Sequence, residues 1–190
     1  MIELRIFKTA LRLDFTFFAV VTLFLLTNDS GYGVTALLSC AAHEMSHLLA
    51  MGITGAEVNA VTLYGAGIKI RSDNAERLPF TGQLAIYAAG CVMNFTLAAV
   101  LWVSGAYEAA MINLITALFN LLPIGELDGA RLLMLAAVRT LPAERVDRVT
   151  RIASVCAALL AAVAILWIGG LSFSMAAAAA YIVFLAFFGE

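Results

Sequence analysis

GVTALLSCAAHEMSHLLAM, residues Gly33 to Met51, is a run of mostly apolar and small residues broken near its end by His43, Glu44 and His47. Its length is close to the roughly twenty residues a helix needs to cross about 30 Å of hydrocarbon, so it reads as a membrane span. Ionisable groups inside a span are costly to build and mark function. Helix positions four apart share a face, about 6 Å from each other, so both imidazoles reach one metal ion. Glu44 sits about 100° around the helix, where it can handle water at such an ion without ligating it. The chain has only two histidines, and chance would give this spacing only a few times in roughly ten thousand such chains. The plain alternative is a pair of helix-packing histidines beside a buried glutamate.

The whole chain shares this character. Of its 190 residues 63% are apolar and 13% charged, with a mean hydropathy of +0.98. A soluble domain is closer to half apolar and a quarter charged, so the solvent this chain suits is the lipid bilayer. A net charge of −2 without a basic block gives no reason to expect nucleic acid as a partner. Cys40, Cys91 and Cys156 are odd in number and lie in apolar runs, so they read as core residues rather than a disulfide framework. Cys40, one turn before His43, is an alternative metal ligand, although ligands from one short helical segment rarely meet at a tetrahedral site.

Six apolar stretches are long enough to be spans: Leu13–Thr27, Gly33–Met51, Pro79–Val103, one from Tyr107 interrupted at Pro123, Ile152–Ile168 and Leu171–Phe188. The fold expected is an all-α polytopic membrane protein with six transmembrane helices and a short membrane-associated β-hairpin. All eleven Lys and Arg fall in residues 1–12, 53–78 and 129–151. The loops near Asn28–Tyr32, Ser104–Ala106 and Gly169–Gly170 hold none. Positive charge marks the cytoplasmic side, which puts both termini in the cytoplasm. The first span is followed by Asn28-Asp29-Ser30-Gly31 rather than a small-residue cleavage site, so it is expected to be retained rather than removed as a signal peptide.

The hairpin is expected from two β-prone runs, Val58–Leu63 and Ile68–Ile70, around a turn with Gly65 and Gly67. Such backbone at membrane depth must be buried in protein or line a wet cavity. A cytoplasmic loop on the headgroups fits the composition equally well. Its exposed edge would suit an extended peptide segment.

A catalytic zinc site takes three protein ligands and leaves a fourth position open. With no further histidine, the third ligand must be a carboxylate or a cysteine. Asp14, Asp29 and Glu108 lie at span ends, whereas Glu126 and Asp128 lie in a break that ends an apolar helix, FNLLPIGELDG over Phe119–Gly129. Pro123 removes a helical hydrogen bond there, and Gly125 and Gly129 permit unusual dihedrals. A helix terminus capped by polar residues at the interface is the bland account of the same stretch.

HEMSH on a transmembrane helix, followed by NLLPIGELDG over Asn120–Gly129, resembles the site-2 protease family of intramembrane zinc metalloproteases. Ala89-Gly90-Cys91-Val92-Met93-Asn94 is similar to the family's Gly-x-x-x-Asn element, with Cys91 where a proline is usual. The resemblance covers Cys40 to about Arg131. It implies His43, His47 and Asp128 as Zn²⁺ ligands, with Glu126 the competing carboxylate, and Glu44 as the general base. It also implies Asn94 as a group steadying substrate or oxyanion, and matches Asn120 without a defined role. The expected organisation is one membrane-embedded metalloprotease domain over residues 1–190, with a catalytic core at about 33–135 and the last two helices at about 152–188.

The span count looks most like the compact branch that processes a sporulation pro-sigma factor. Phe187-Phe188-Gly189-Glu190 follows the last span directly, so the nucleotide-sensing domain usual in that branch has either been removed or was never part of this member, and the sequence leaves both alternatives open. The periplasmic PDZ domain of the anti-sigma-cleaving branch is not expected in this sequence. The resulting expectation is a zinc endopeptidase that cleaves a membrane-associated or transmembrane protein, with regulatory membrane proteins as further partners. The competing reading is a zinc-binding membrane protein or transporter without protease activity.

Overall fold

The computed structural model describes residues 2–6, 9–26, 31–65, 67–169 and 173–188. The expectations for Lys8, for the turn at Asn28–Ser30, for Gly170 and for the final Gly189-Glu190 lie outside the described residues. The chain forms two compact units, residues 1–117 and 118–190.

The first unit opens with two strands, β1 (Ile2–Ile6) and β2 (Thr9–Leu13), followed by α1 (Phe15–Leu26) and α2 (Tyr32–Thr54). Strands β3 (Ala60–Tyr64) and β4 (Gly67–Arg71) come next, then a 3-10 turn at Ala75–Arg77, α3 (Phe80–Val103) and the start of α4 (Tyr107–Asn120). β3 and β4 pair antiparallel, Ala60 opposite Arg71 and Tyr64 opposite Gly67, which is the hairpin expected around Gly65. β1 and β2 form a second hairpin, and β2 joins β3 in parallel, giving one sheet in the order β1-β2-β3-β4. An all-α chain with a single hairpin is therefore corrected to a helical chain with a four-stranded sheet. The alternation Ile2-Glu3-Leu4-Arg5-Ile6 and Leu11-Arg12-Leu13 is the period-2 signal of strands β1 and β2. Parallel strands need a long crossover, here supplied by α1 and α2.

Asp14 couples the sheet to α1. Its backbone N–H donates to the Leu63 carbonyl at 2.8 Å. Its Oδ1 accepts from the Thr16 N–H at 2.9 Å and the Thr16 hydroxyl at 2.7 Å, an N-terminal cap on the helix. At the other end of α2, Gly55 adopts φ 80° and the Ala56 N–H returns to the Met51 carbonyl at 2.9 Å. This glycine-dependent stop lets Ala56 pack on Met51. Both join Ile86 of α3 in a small buried cluster, which fixes α2 against α3 just beyond the HEMSH motif.

The second unit holds the end of α4, an irregular stretch over 121–127, α5 (Asp128–Thr140), α6 (Ala143–Gly169) and α7 (Phe173–Phe188). Pro123 ends the helix as expected, and Gly125 takes φ 53°, a left-handed conformation that favours glycine. Ile124, only 1% exposed, anchors the irregular stretch in a cluster with Ala158 and Ile182. The segment 129–151, expected on the cytoplasmic side, is almost entirely helical: α5 fills its first half and α6 begins well before Ile152.

Two helices, Phe80–Val103 and Ala143–Trp167, are long and apolar enough to cross a membrane. α1 has 12 residues and α4 has 14, about 18 and 21 Å at 1.5 Å per residue, less than the hydrocarbon thickness. Six spans are therefore not confirmed. Among the described residues Phe80–Val103 and Ala143–Trp167 are the helices that are both long and apolar enough; α2, with 23 residues, is long but less apolar, and α1, α4 and α7 are shorter. Large apolar side chains face outward along them, with Val103 89% and Trp167 87% exposed. Monomeric soluble proteins rarely leave contiguous apolar surface of this kind.

Candidate metal centre

α2 carries His43 and His47 one turn apart, both buried, and their rings converge edge to face with centroids 4.9 Å apart. The Nε2 atoms stand 3.2 Å apart. His47 Nδ1 lies 2.7 Å from the backbone carbonyl of Ile86 on α3, an acceptor only, so Nδ1 carries the proton and Nε2 presents its lone pair. His43 Nδ1 lies 2.6 Å from Oδ1 of Asn94, also on α3. Two acceptor nitrogens held face to face repel unless a cation lies between them. Two nitrogens bound to one tetrahedral zinc at 2.0–2.1 Å are about 3.4 Å apart, close to the observed spacing.

Gly90 makes the convergence possible. A Cβ built on it would overlap Cε1 and Nε2 of His43 and Nε2 of His47, so α3 can approach the histidine face of α2 only with glycine here. Ser46 turns inward too, donating to the His43 carbonyl at 2.6 Å.

His43, His47 and Asp128 are all buried and are a candidate ligand set for a metal ion. Asp128 is the first residue of α5. Glu126, the competing carboxylate, is exposed and is not a member of this group, nor is Cys40. Two imidazoles and one carboxylate form a donor set that suits zinc and leaves a coordination position open, as in catalytic sites. Glu44 is half-buried beside His43 on α2. Asn120 is the last residue of α4 and is half-buried.

Asn94 is placed behind His43 rather than in open space, with 0% exposure. Its Nδ2 donates to the Ser39 carbonyl at 3.2 Å, the Ser39 hydroxyl at 2.9 Å and Asn113 Oδ1 at 2.9 Å. Ser39 and Asn113, each 3% exposed, are site residues that sequence reading missed. Their signals are modest: Ser39 lies one turn before His43 on the same face, and Asn113 is a lone amide in the apolar run Met111–Leu114.

Comparison with known proteins agrees with this geometry. The model of peptidase family M50 matches residues 102–164. Over 117 residues the chain is 35% identical to a protein from two strains of Mycobacterium tuberculosis described as "Putative zinc metalloprotease Rip3". The match covers 54% of this chain and 30% of that protein, so the chain spans about a third of the length of the curated relative. The site-2 protease from Methanocaldococcus jannaschii aligns with a TM-score of 0.67 over 99% of this chain and 94% of its own, at 20% identity, which shows a shared fold. The chain is thus similar to peptidase family M50 in sequence and to a site-2 protease in fold. Zinc is the metal named in the description of that relative, and two imidazoles with one carboxylate are a donor set that suits it.

Proposed function

We propose that this protein is an intramembrane zinc metalloendopeptidase that cleaves a membrane-associated or transmembrane protein substrate. The observation that carries the reading is the pair of buried imidazoles with Nε2 atoms 3.2 Å apart, grouped with the Asp128 carboxylate. In this reading His43, His47 and Asp128 hold the metal. Bound there, zinc supplies Lewis acidity, which acidifies water and polarises a carbonyl. Glu44 takes the proton from the attacking water and returns it to the departing amine. A helical substrate hides its amides and must unwind locally before attack. β4, at one end of the strand order, offers an edge on which an extended segment can pair.

The two long apolar helices and the outward apolar side chains support residence in a membrane. The clustering of all eleven Lys and Arg in residues 1–12, 53–78 and 129–151 supports cytoplasmic termini and a six-pass arrangement that includes the shorter helices. Within this reading, residues 1–190 act as one proteolytic domain. A membrane-associated pro-sigma factor is the substrate class that the compact span pattern suggests.

Glu44→Gln tests the enzyme against a zinc-binding membrane protein or transporter, because a ligand-only site has no use for a base. Purified Glu44→Gln should keep full zinc and lose about 10²–10⁴-fold in cleavage of a co-expressed membrane substrate. Cleavage at the wild-type rate would sink the protease reading, and co-expressed pro-sigma factors left intact by wild type would remove that substrate class.

A further inference from the structure

We infer that Asn94 is a positioning residue that fixes which nitrogen of His43 carries the proton, and so directs the other toward the metal. This rests on the metal-site reading above and concerns α2, α3 and α4 within the first unit.

Backbone carbonyls can only accept, and they set the polarity of the whole chain of contacts. Asn113 Nδ2 donates to the Ala109 carbonyl at 2.9 Å, so Asn113 Oδ1 is the atom turned toward Asn94. An oxygen there requires a donor opposite, which makes the facing atom of Asn94 its Nδ2. The Ser39 carbonyl, 3.2 Å from the same atom, demands a donor independently. With Nδ2 committed on that side, the Asn94 atom 2.6 Å from His43 is Oδ1. An amide oxygen is an acceptor only, so His43 Nδ1 must bear the hydrogen and Nε2 the lone pair. The Ser39 hydroxyl adds a further contact by donating to Asn113 Oδ1 at 3.0 Å. His47 reaches the same tautomer more simply, through the Ile86 carbonyl. Each histidine is thus oriented from α3, one by a main-chain acceptor and one by a side chain. Asn94 is fully buried with both ends of its amide engaged, so it works through His43 and not on a substrate. Partners of this kind orient metal-binding histidines and typically change metal affinity 10–100-fold when removed.

The test uses the full chain purified in detergent, with zinc affinity measured by competition against a chromophoric chelator. Imidazole ¹⁵N spectra of the zinc-loaded protein give a second readout, which is tractable because the chain has two histidines. Asn94→Leu keeps the size but lacks the acceptor, and should weaken zinc binding about 10–100-fold. It should also remove the protected Nδ1–H signal of one ring while the other ring is unchanged. Asn94→Asp keeps an oxygen toward His43 but loses the donors to Ser39 and Asn113, and should stay within a few-fold of wild type. A merely structural role predicts the opposite for the aspartate, namely a loss as large as that of leucine. The proposal is overturned if Asn94→Leu binds zinc like wild type, or if both variants fall equally. If Asn94→Leu does not fold, Asn94→Asp decides alone: retained affinity with a retained Nδ1–H signal supports the role, and loss of either refutes it. Wild type that binds no zinc would remove the metal-site reading and this inference with it. Equal binding by wild type and Asn94→Leu leaves the first and removes only the second.

Discussion

Gly90 on α3 and the His43 ring on α2 approach so closely that a hydrogen is the largest substituent the space admits. A methyl group there would overlap Cε1 and Nε2 of His43 and Nε2 of His47. Neither ring can swing aside cheaply, because each is bound through Nδ1 to α3, His43 at 2.6 Å and His47 at 2.7 Å. The glycine therefore sets how near two helices come, and that distance sets the metal site.

Gly90→Ala should consequently abolish zinc binding while leaving helix content intact. Metal analysis of the purified protein should find less than about a tenth of the wild-type zinc, in line with displaced ligand rings. Gly82 on the same helix is the control. A Cβ there meets Leu78 at 3.4 Å, an ordinary contact. Gly82→Ala should keep full zinc and, in helix propensity, gain up to about 1 kcal/mol of stability. Equal zinc in the two variants would show that the close approach does not govern the site.

What could be read from the sequence follows how local each signal is. The two histidines and Glu44 sit within one helical turn, so spacing alone identifies them. α3 was expected at Pro79–Val103 and spans Phe80–Val103, because Pro79 marks its start without ambiguity. Pro123 and Gly125 likewise announce the break before Asp128. The sheet was half legible. β3 and β4 are joined by a tight turn, whereas β2 meets β3 across some fifty residues, as in the Thr9 hydroxyl donating to the Val58 carbonyl at 2.8 Å. In residues 1–12 the charges that mark topology also alternate with apolar residues, so one stretch carries both a membrane-side signal and a strand signal. Asn94 was visible as an element of a motif, but its partner His43 is 51 positions away. Nothing in either local sequence tells an amide that faces substrate from one that faces a histidine.

Gly129, next to Asp128 in the second unit, works by the same close-approach logic. A Cβ on it would run into the backbone of Leu121 and Leu122, where the stretch after α4 folds back on the first turn of α5. The obstacle is main chain, which cannot rotate away, and Ile124 in the buried cluster holds the stretch in place. Gly129→Ala should shift the start of α5, lower the thermal midpoint and reduce zinc content together. A midpoint and zinc content equal to wild type would show that the stretch has room to move.

The choice between the two carboxylates is open to direct measurement. Asp128 is 7% exposed and is a member of the candidate ligand set, whereas Glu126 is exposed. Asp128→Ala should bind zinc at least about 10-fold more weakly. Glu126→Ala should bind as wild type does. The reverse pattern, read by metal analysis after dialysis, would transfer the ligand role to Glu126.

The sheet makes a separate claim about substrate. β1 ends the strand order on one side and carries Glu3, with Arg12 at 3.3 Å and Arg5 at 3.8 Å, a charged edge of the kind that discourages pairing. β4 ends it on the other side, where Ile68 and Ile70 are half-buried and Lys69 is exposed. Backbone N–H groups alternate in direction along a strand, so proline has different effects at successive positions. Prolines introduced singly as Ile68→Pro, Lys69→Pro and Ile70→Pro should fall into two classes. Where the N–H faces β3 the hairpin loosens and the protein loses stability. Where it faces outward, fold and zinc persist and cleavage of a membrane substrate drops several-fold, since the substrate strand loses a donor. Stability, zinc and cleavage measured on all three variants separate the classes. Full cleavage by every variant that keeps its fold and zinc would show that the substrate does not pair with β4.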